Sequence, residues 1–192
     1  HGERMLGLIA IADPLRPTSA AAVAALQALG ITVVMLTGDN RRTAQRIARE
    51  AGIPQFEAEL LPQDKAQRIT ALNQHGHTVG MIGDGFNDAP ALAAAQVSFA
   101  IGAGSDVAIH AADVTLMRSD LLSAVDAVAL SRATFRKIKQ NLFFAFIYNI
   151  LGIPLAAAGL LNPVIACASM AMSSVSVVSN SLLLKRWRPA KA

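Results

Sequence analysis

Apolar residues follow two different rhythms along this chain of 192 residues. Up to about position 117, short apolar runs alternate with longer segments of helical spacing. The runs at 6–12 (LGLIAIA), 32–36 (TVVML), 78–82 (TVGMI), 97–101 and 114–117 predict short buried strands. Helices are predicted at 18–29, capped by Thr18 or Ser19, and at 41–51, closed by Gly52. Two more follow at 62–75, opened by Pro62, and around 105–110. Strands alternating with helices of this length imply a parallel sheet covered on both faces, an α/β architecture.

The rhythm changes at 120. Over 120–140, Leu121, Leu122, Val125, Val128, Ala129 and Ala133 keep helical spacing, while Arg132, Arg136, Lys137 and Lys139 crowd the far end. Two apolar stretches then follow, 141–161 and 163–184, and neither contains a charge. Each is about twenty residues long, enough at about 1.5 Å per residue to cross a hydrocarbon core of about 30 Å. The alternative is a pair of buried helices in a soluble core. Asn162-Pro163 is a turn signal, so the two stretches form a hairpin.

Charge sharpens this division. All 13 acidic residues lie at or before Asp126, whereas Lys185, Arg186, Arg188 and Lys191 follow the hairpin. Basic residues on both flanks place both ends of the hairpin, the sheet domain and the tail at 185–192 on the cytoplasmic side of a membrane. The pI near 9.7 therefore reflects a membrane surface, with lipid as a partner and no nucleic acid. Mean hydropathy is +0.42, and charged residues make up only 16%. Cys167 is the single cysteine, which excludes an intrachain disulfide framework. The first ten residues, with Glu3 and Arg4, carry no secretory cleavage pattern. The chain begins at His1, which predicts a fragment or a processed product.

Two of the predicted strands end in acidic turns containing glycine: Thr37-Gly38-Asp39-Asn40, and GDGFNDAP at 83–90. In an open parallel sheet, ligand sites form beyond the carboxyl ends of strands, so the two turns converge. Asp84 and Asp88 offer carboxylates of the kind that hold Mg²⁺. The Thr37 hydroxyl and the Asn87 amide can donate to phosphoryl oxygens. Lys65, near the start of the helix opened by Pro62, supplies a point charge suited to a phosphoryl group in transfer. Taken alone, TGDN is also an ordinary strand-to-helix cap, and Asp64-Lys65 an ordinary solvated helix start. GDGFNDAPAL is harder to discount, and its spacing does not follow the EF-hand loop.

TGDN, PQDK at 62–65 and GDGFNDAPAL at 83–92 resemble the phosphorylation-domain motifs of P-type ATPases, within the haloacid-dehalogenase-like superfamily. Asp13-Pro14-Leu15-Arg16-Pro17, IGAGSDVAIHAADV at 101–114 and the hairpin extend the likeness over essentially the whole chain. The resemblance implies that residues 1–119 form the later portion of a phosphorylation domain, joined by a helix at 120–140 to two transmembrane helices. It implies that Thr37 and Lys65 bind the phosphoryl group and that Asn87 contacts it. Asp84 then ligates Mg²⁺ with Asp88 beside it, and Asp39 lies near the phosphate end of ATP. The family nucleophile is the Asp of DKTGT, and that motif does not occur in residues 1–192. The chain by itself is therefore expected to be inactive. Position 110 holds His where related pumps usually have Glu, read here as a variation on the outside of a helix.

The hairpin bears on the cargo. Its polar residues are Tyr148 and Asn149, then Met170, Ser173, Ser174, Ser176, Ser179, Asn180 and Ser181. Ionisable and polar groups inside a membrane are functional candidates by default, although Ser and Met also serve plain helix packing. Met170 and Ser174 share a face, and a thioether suits Cu(I). Tyr148-Asn149 with Met170-x-x-Ser173-Ser174 resembles the copper(I) subgroup of heavy-metal pumps. There a Cys-Pro-Cys on an earlier helix supplies thiolates; Cys167 and Met172 are read as packing residues. The expected function is ATP-driven Cu(I) export by the whole pump, with its remaining N-terminal part and a copper chaperone as partners. Alternatives are a Zn/Cd pump, a truncated non-catalytic subunit, or a membrane-anchored phosphatase.

Overall fold

A computed structural model describes residues 14–102, 106–160 and 162–188 of the chain. The strand expected at 6–12, and Asp13, lie outside the described residues. Two compact units divide the chain, His1–Val125 and Asp126–Ala192.

In the first unit, helix α1 (Ser19–Ala28) buries Ala22, Val23 and Leu26, a stripe at helical spacing. Strand β1 (Val34–Leu36) leads into helix α2 (Arg41–Ala51). Asn40 caps α2 by accepting from the Thr43 backbone N–H at 3.0 Å. Gly52, at φ 72°, ends it in a left-handed turn that costs glycine nothing. The buried face of α2 is Ala44, Ala48 and Ala51, small residues that let it approach its neighbours closely. Strand β2 (Gln55–Glu57) follows and pairs in parallel with β1.

Helix α3 (Pro62–Gln74) starts with its proline in the first turn, and the Asp64 carboxylate accepts from the Leu61 backbone N–H at 2.9 Å. Strand β3 (Gly80–Gly83), a short helix α4 (Ala89–Ala94), strand β4 (Val97–Ile101), helix α5 (Asp106–Ala111) and strand β5 (Val114–Leu116) complete the unit. The sheets are parallel throughout, as alternating helices and strands require. One expectation changes: the described strands form two sheets, β1-β2 and β3-β4-β5, rather than one. Among the described residues β1 pairs only with β2, and β3 only with β4 on its side, so each sheet keeps a free edge. The core of the larger sheet is Leu92 against Ala100, packed by Met81, Ile109, Ala111 and Ala112. His110 is exposed at the end of α5, as its position on the helix implied.

Three side chains tie the start of α1 to the segment ahead of helix α6 (Leu122–Ala157). Arg16 Nη1 donates to the Ser119 carbonyl, and Thr18 Oγ1 donates to Asp120 Oδ1 at 2.8 Å. The same oxygen accepts from the Leu122 backbone N–H at 3.0 Å, capping α6. A similar carboxylate clamp joins β4 to β5. Asp113 Oδ2 accepts from both the backbone N–H and the hydroxyl of Ser98, each at 2.8 Å.

In the second unit, α6 runs without a break from the connecting region into the first apolar stretch and ends at Ala157, four residues before the sequence boundary. Its interior Pro154 lies near that end, where few carbonyls remain to lose a partner. Asn162 caps helix α7 (Pro163–Leu182), whose last residues tighten into a short 3₁₀ turn, Leu183–Arg186. The apolar windows of both helices have a mean hydropathy of 1.4 and bury none of their length. They are not core helices of a soluble fold.

The Asp120 carboxyl is held below its ordinary value, first by the Leu122 N–H and then by Thr18, with Arg118 and Arg16 adding attraction against a burial cost. A depressed carboxyl stabilises the folded state above its unfolded value of about 3.9 and loses that contribution as pH falls through the folded value. Asp120→Asn should therefore lower thermal stability at neutral pH and flatten the loss below about pH 4. Thermal unfolding of the detergent-solubilised protein against pH checks this; an unchanged acid limb is the contrary result.

Candidate active site

The two acidic turns sit where the strands end. After β1, Thr37 Oγ1 donates to Asp39 Oδ2 and accepts from the Asp39 backbone N–H, both at 3.1 Å. The Thr37 carbonyl takes the Leu60 N–H at 3.1 Å, and the Asp39 carbonyl takes the Glu59 N–H at 2.9 Å. The turn is thus laced to the loop ahead of α3. A Cβ at Gly38 would meet the Leu60 carbonyl at 3.3 Å, a close approach that favours glycine. Glu59 itself adopts the left-handed region at φ 61°, uncommon for a residue with a side chain.

The second turn, after β3, carries an ion pair. Lys65 Nζ lies 2.8 Å from Asp88 Oδ1, with the two side chains only 13% and 15% exposed. Mostly buried and charge-assisted, this contact links the first turn of α3 to the loop after β3. It exists because β3 ends in glycine. A Cβ at Gly83 would stand 2.7 Å from the Asp88 Cβ and 3.0 Å from its Oδ2.

Asp84 is exposed at the end of β3, and with Asp39 it lines an open cleft of about 620 Å³. Arg16, Ser19, Thr43 and Arg46 line the same cleft. Asn87 lies exposed in the short 3₁₀ turn Phe86–Asp88. The structure therefore joins Lys65 to Asp88 and Thr37 to Asp39, and it brings Asp39 and Asp84 to one cleft that Thr37, Lys65 and Asp88 do not line. Sequence reasoning assigned Arg16 no role, although it quoted the Asp-Pro-Leu-Arg-Pro stretch that carries it.

In the hairpin the candidate cargo residues divide by face. Tyr148 and Ser173 are half-buried; Asn149, Met170 and Ser174 are exposed. The Asn149 amide donates to the Ala145 carbonyl at 2.8 Å, and the Ser174 hydroxyl to the Met170 carbonyl at 3.3 Å. Cys167 and Met172 are exposed too. Their helical positions turn them away from the seam that Ser173 and Asn180 occupy.

The haloacid dehalogenase-like hydrolase family model matches residues 2–96. A copper-exporting P-type ATPase of Bacillus subtilis strain 168 is 56% identical over 94% of this chain, which spans 22% of that relative. The chain belongs to the heavy-metal P-type ATPases. An Enterococcus hirae P-type ATPase whose name suggests copper import is 53% identical over 96% of the chain and 26% of its own length. The crystal structure of a zinc-transporting PIB-type ATPase in its E2.Pi state superposes with a TM-score of 0.83 at 41% identity, over 90% of this chain and 28% of that one. This heavy-metal P-type ATPase chain thus spans about a quarter of the relatives it matches.

Gly83→Ala tests how tightly the site is built. The added methyl must displace Asp88, and overpacking of this kind costs about 1–3 kcal/mol. Thermal unfolding should register that loss, together with weaker protection of the 83–90 turn in hydrogen exchange. A variant as stable as the parent would contradict the contact.

Proposed function

We propose that the chain is the later part of the phosphorylation domain, with two membrane helices, of an ATP-driven pump that exports Cu(I) through an aspartyl-phosphate. The observation that carries this reading is the pairing of an acid-rich site at the strand ends with an acid-free, Met- and Ser-bearing hairpin. Lys65 and Thr37 hold the phosphoryl group, Asn87 contacts it, and Asp39 beside Gly38 stands near the phosphate end of ATP. Among the described residues one edge of β1 and one of β3 pair with no strand, which leaves room for a further parallel strand carrying the nucleophilic Asp from the remainder of the pump.

Mg²⁺ fits the donor set. Asp84 offers a hard carboxylate on the cleft, Asp88 is the second carboxylate of the same turn, and no group of three or more His, Cys, Asp or Glu converges among the described residues. One or two carboxylates, completed by water and phosphate oxygens, is the usual Mg²⁺ arrangement. When bound, the ion neutralises charge on the phosphoryl oxygens.

For the cargo, Met170 supplies a soft thioether, with Tyr148, Asn149, Ser173 and Ser174 as the polar donors around it. A Zn²⁺ site would call for a harder or charged ligand, and no acid follows Asp126. Lys185, Arg186 and Arg188 after the hairpin, and the cations before it, support a cytoplasmic placement for both flanks. Membrane lipid, the N-terminal part of the pump and a copper chaperone are the partners.

Metal-stimulated phosphoenzyme formation by the intact pump tests the reading. Cu(I) should stimulate it, and inside-out vesicles should accumulate Cu(I). Stimulation by Zn²⁺ alone would overturn the cargo. Asp84→Ala should cut phosphoenzyme formation by about 10²–10³, the scale of losing one electrostatic stabiliser. Met170→Ala should weaken Cu(I) binding to the membrane region, whereas ATP hydrolysis by these 192 residues alone would contradict the proposal.

A further inference from the structure

The two apolar helices are joined by a chain of hydrogen bonds that the cargo reading does not use. Lys137 Nζ donates to Asn180 Oδ1 at 2.7 Å, and Asn180 Nδ2 donates to Asn141 Oδ1 at 2.8 Å. Asn141 Nδ2 donates in turn to Ser181 Oγ at 2.8 Å, and that hydroxyl to the Val177 carbonyl at 2.8 Å. Every link runs donor to acceptor in one direction. The ammonium can only donate, so it fixes which end of the Asn180 amide faces it, and each later group inherits its orientation.

We propose that Asn141 and Asn180 are a positioning pair that fixes the register of α6 against α7 and thereby brings Tyr148 and Ser173 to one level. Tyr148 lies seven residues beyond Asn141, and Ser173 seven residues before Asn180. Seven residues are close to two helical turns, so each stands on the same face as its bridge residue. The helices run in opposite directions through a short connection, so equal steps from the bridge arrive at the same height. The burial pattern agrees. Asn141, Tyr148 and Gly152 are half-buried on α6, as are Ser169, Ser173 and Asn180 on α7. A seam of small residues and aliphatic faces can slide by a turn at little cost. A directional amide pair in an apolar medium cannot, because a slipped register leaves its polar groups without partners.

The consequence for the cargo rests on the proposed Cu(I) site, so the test separates the two. For cross-linking, the intact pump is cleared of its native cysteines, Cys167→Ser among them, and carries Tyr148→Cys with Ser173→Cys, or with Ser169→Cys or Val177→Cys one turn away. A short bismaleimide should join 148 to 173 preferentially. Asn141→Leu or Asn180→Leu should reduce that preference by about three- to twentyfold, the range of an interhelical hydrogen bond or two. The double variant should do no worse than either single one, since both break the same bridge. Asn180→Asp should keep the preference, because a carboxylate accepts from Lys137 and from a reoriented Asn141 amide. It also keeps the proposal testable should the leucine variants fail to insert. Unchanged cross-linking in the leucine variants, or loss of preference in Asn180→Asp, overturns the proposal. With Tyr148, Ser173 and the native cysteines restored, the leucine variants should need three- to twentyfold more Cu(I) for half-maximal phosphoenzyme. Altered cross-linking with an unaltered Cu(I) response keeps the positioning pair and removes these residues from the cargo site.

Discussion

The Lys65–Asp88 ion pair is the constraint on which the acidic end of the sheets depends. Both side chains are mostly buried, so each charge needs the other: removing one leaves a desolvated ion without compensation. Holding them at 2.8 Å sets three demands on the sequence. Pro62 and the Asp64 cap fix where α3 begins and hence where the lysine departs. Gly83 clears the space that Asp88 occupies. The 3₁₀ turn Phe86–Asp88 then returns the chain toward α3, leaving Asp84 and Asn87 on the open side. One charge pair thus separates the acids of the motif into an inner one, which organises, and an outer one, which faces the cleft.

The chain also sorts its charges between two solvents. Carboxylates concentrate in the first unit, where water and backbone N–H groups hold them; Asp113 and Asp120 are both kept ionised by donated hydrogen bonds. The hairpin contains no acid, and the Lys137 ammonium just ahead of it donates to the Asn180 amide. An amide suits that place better than a carboxylate, since it accepts from the lysine while still donating onward to Asn141.

Much of this was legible in the sequence, for identifiable reasons. Helix α2 and strand β4 fall at their expected bounds because Asn40 and Gly52 punctuate the one, and an unbroken apolar run marks the other. Strand β2 was missed: Gln-Phe-Glu has a single apolar residue, and its strand character comes from pairing with β1. Strand β1 starts two residues late for the same reason, since its partner begins only at Gln55. The motif residues could be named from spacing, but not the Lys65–Asp88 contact, which joins residues 23 apart in the chain. The polar bridge of the hairpin was hidden similarly. Asn180 was noted as a costly polar group, but its partners Lys137 and Asn141 lie on another helix.

The division of the hairpin into two faces has a consequence for coordination. On the seam stand Tyr148 and Ser173; on the exposed side stand Asn149, Met170 and Ser174. Among these only Met170 offers sulfur, and one thioether with a few neutral oxygens is a weak set for a soft monovalent ion. In the proposed Cu(I) site the hairpin would supply a minority of the ligands, and its exposed face is the side left open to a further soft donor. The seam residues then shape the site from behind, and their height depends on the bridge at Asn141 and Asn180. Register in this hairpin is therefore part of the proposed metal site, although none of the bridging side chains need touch the metal.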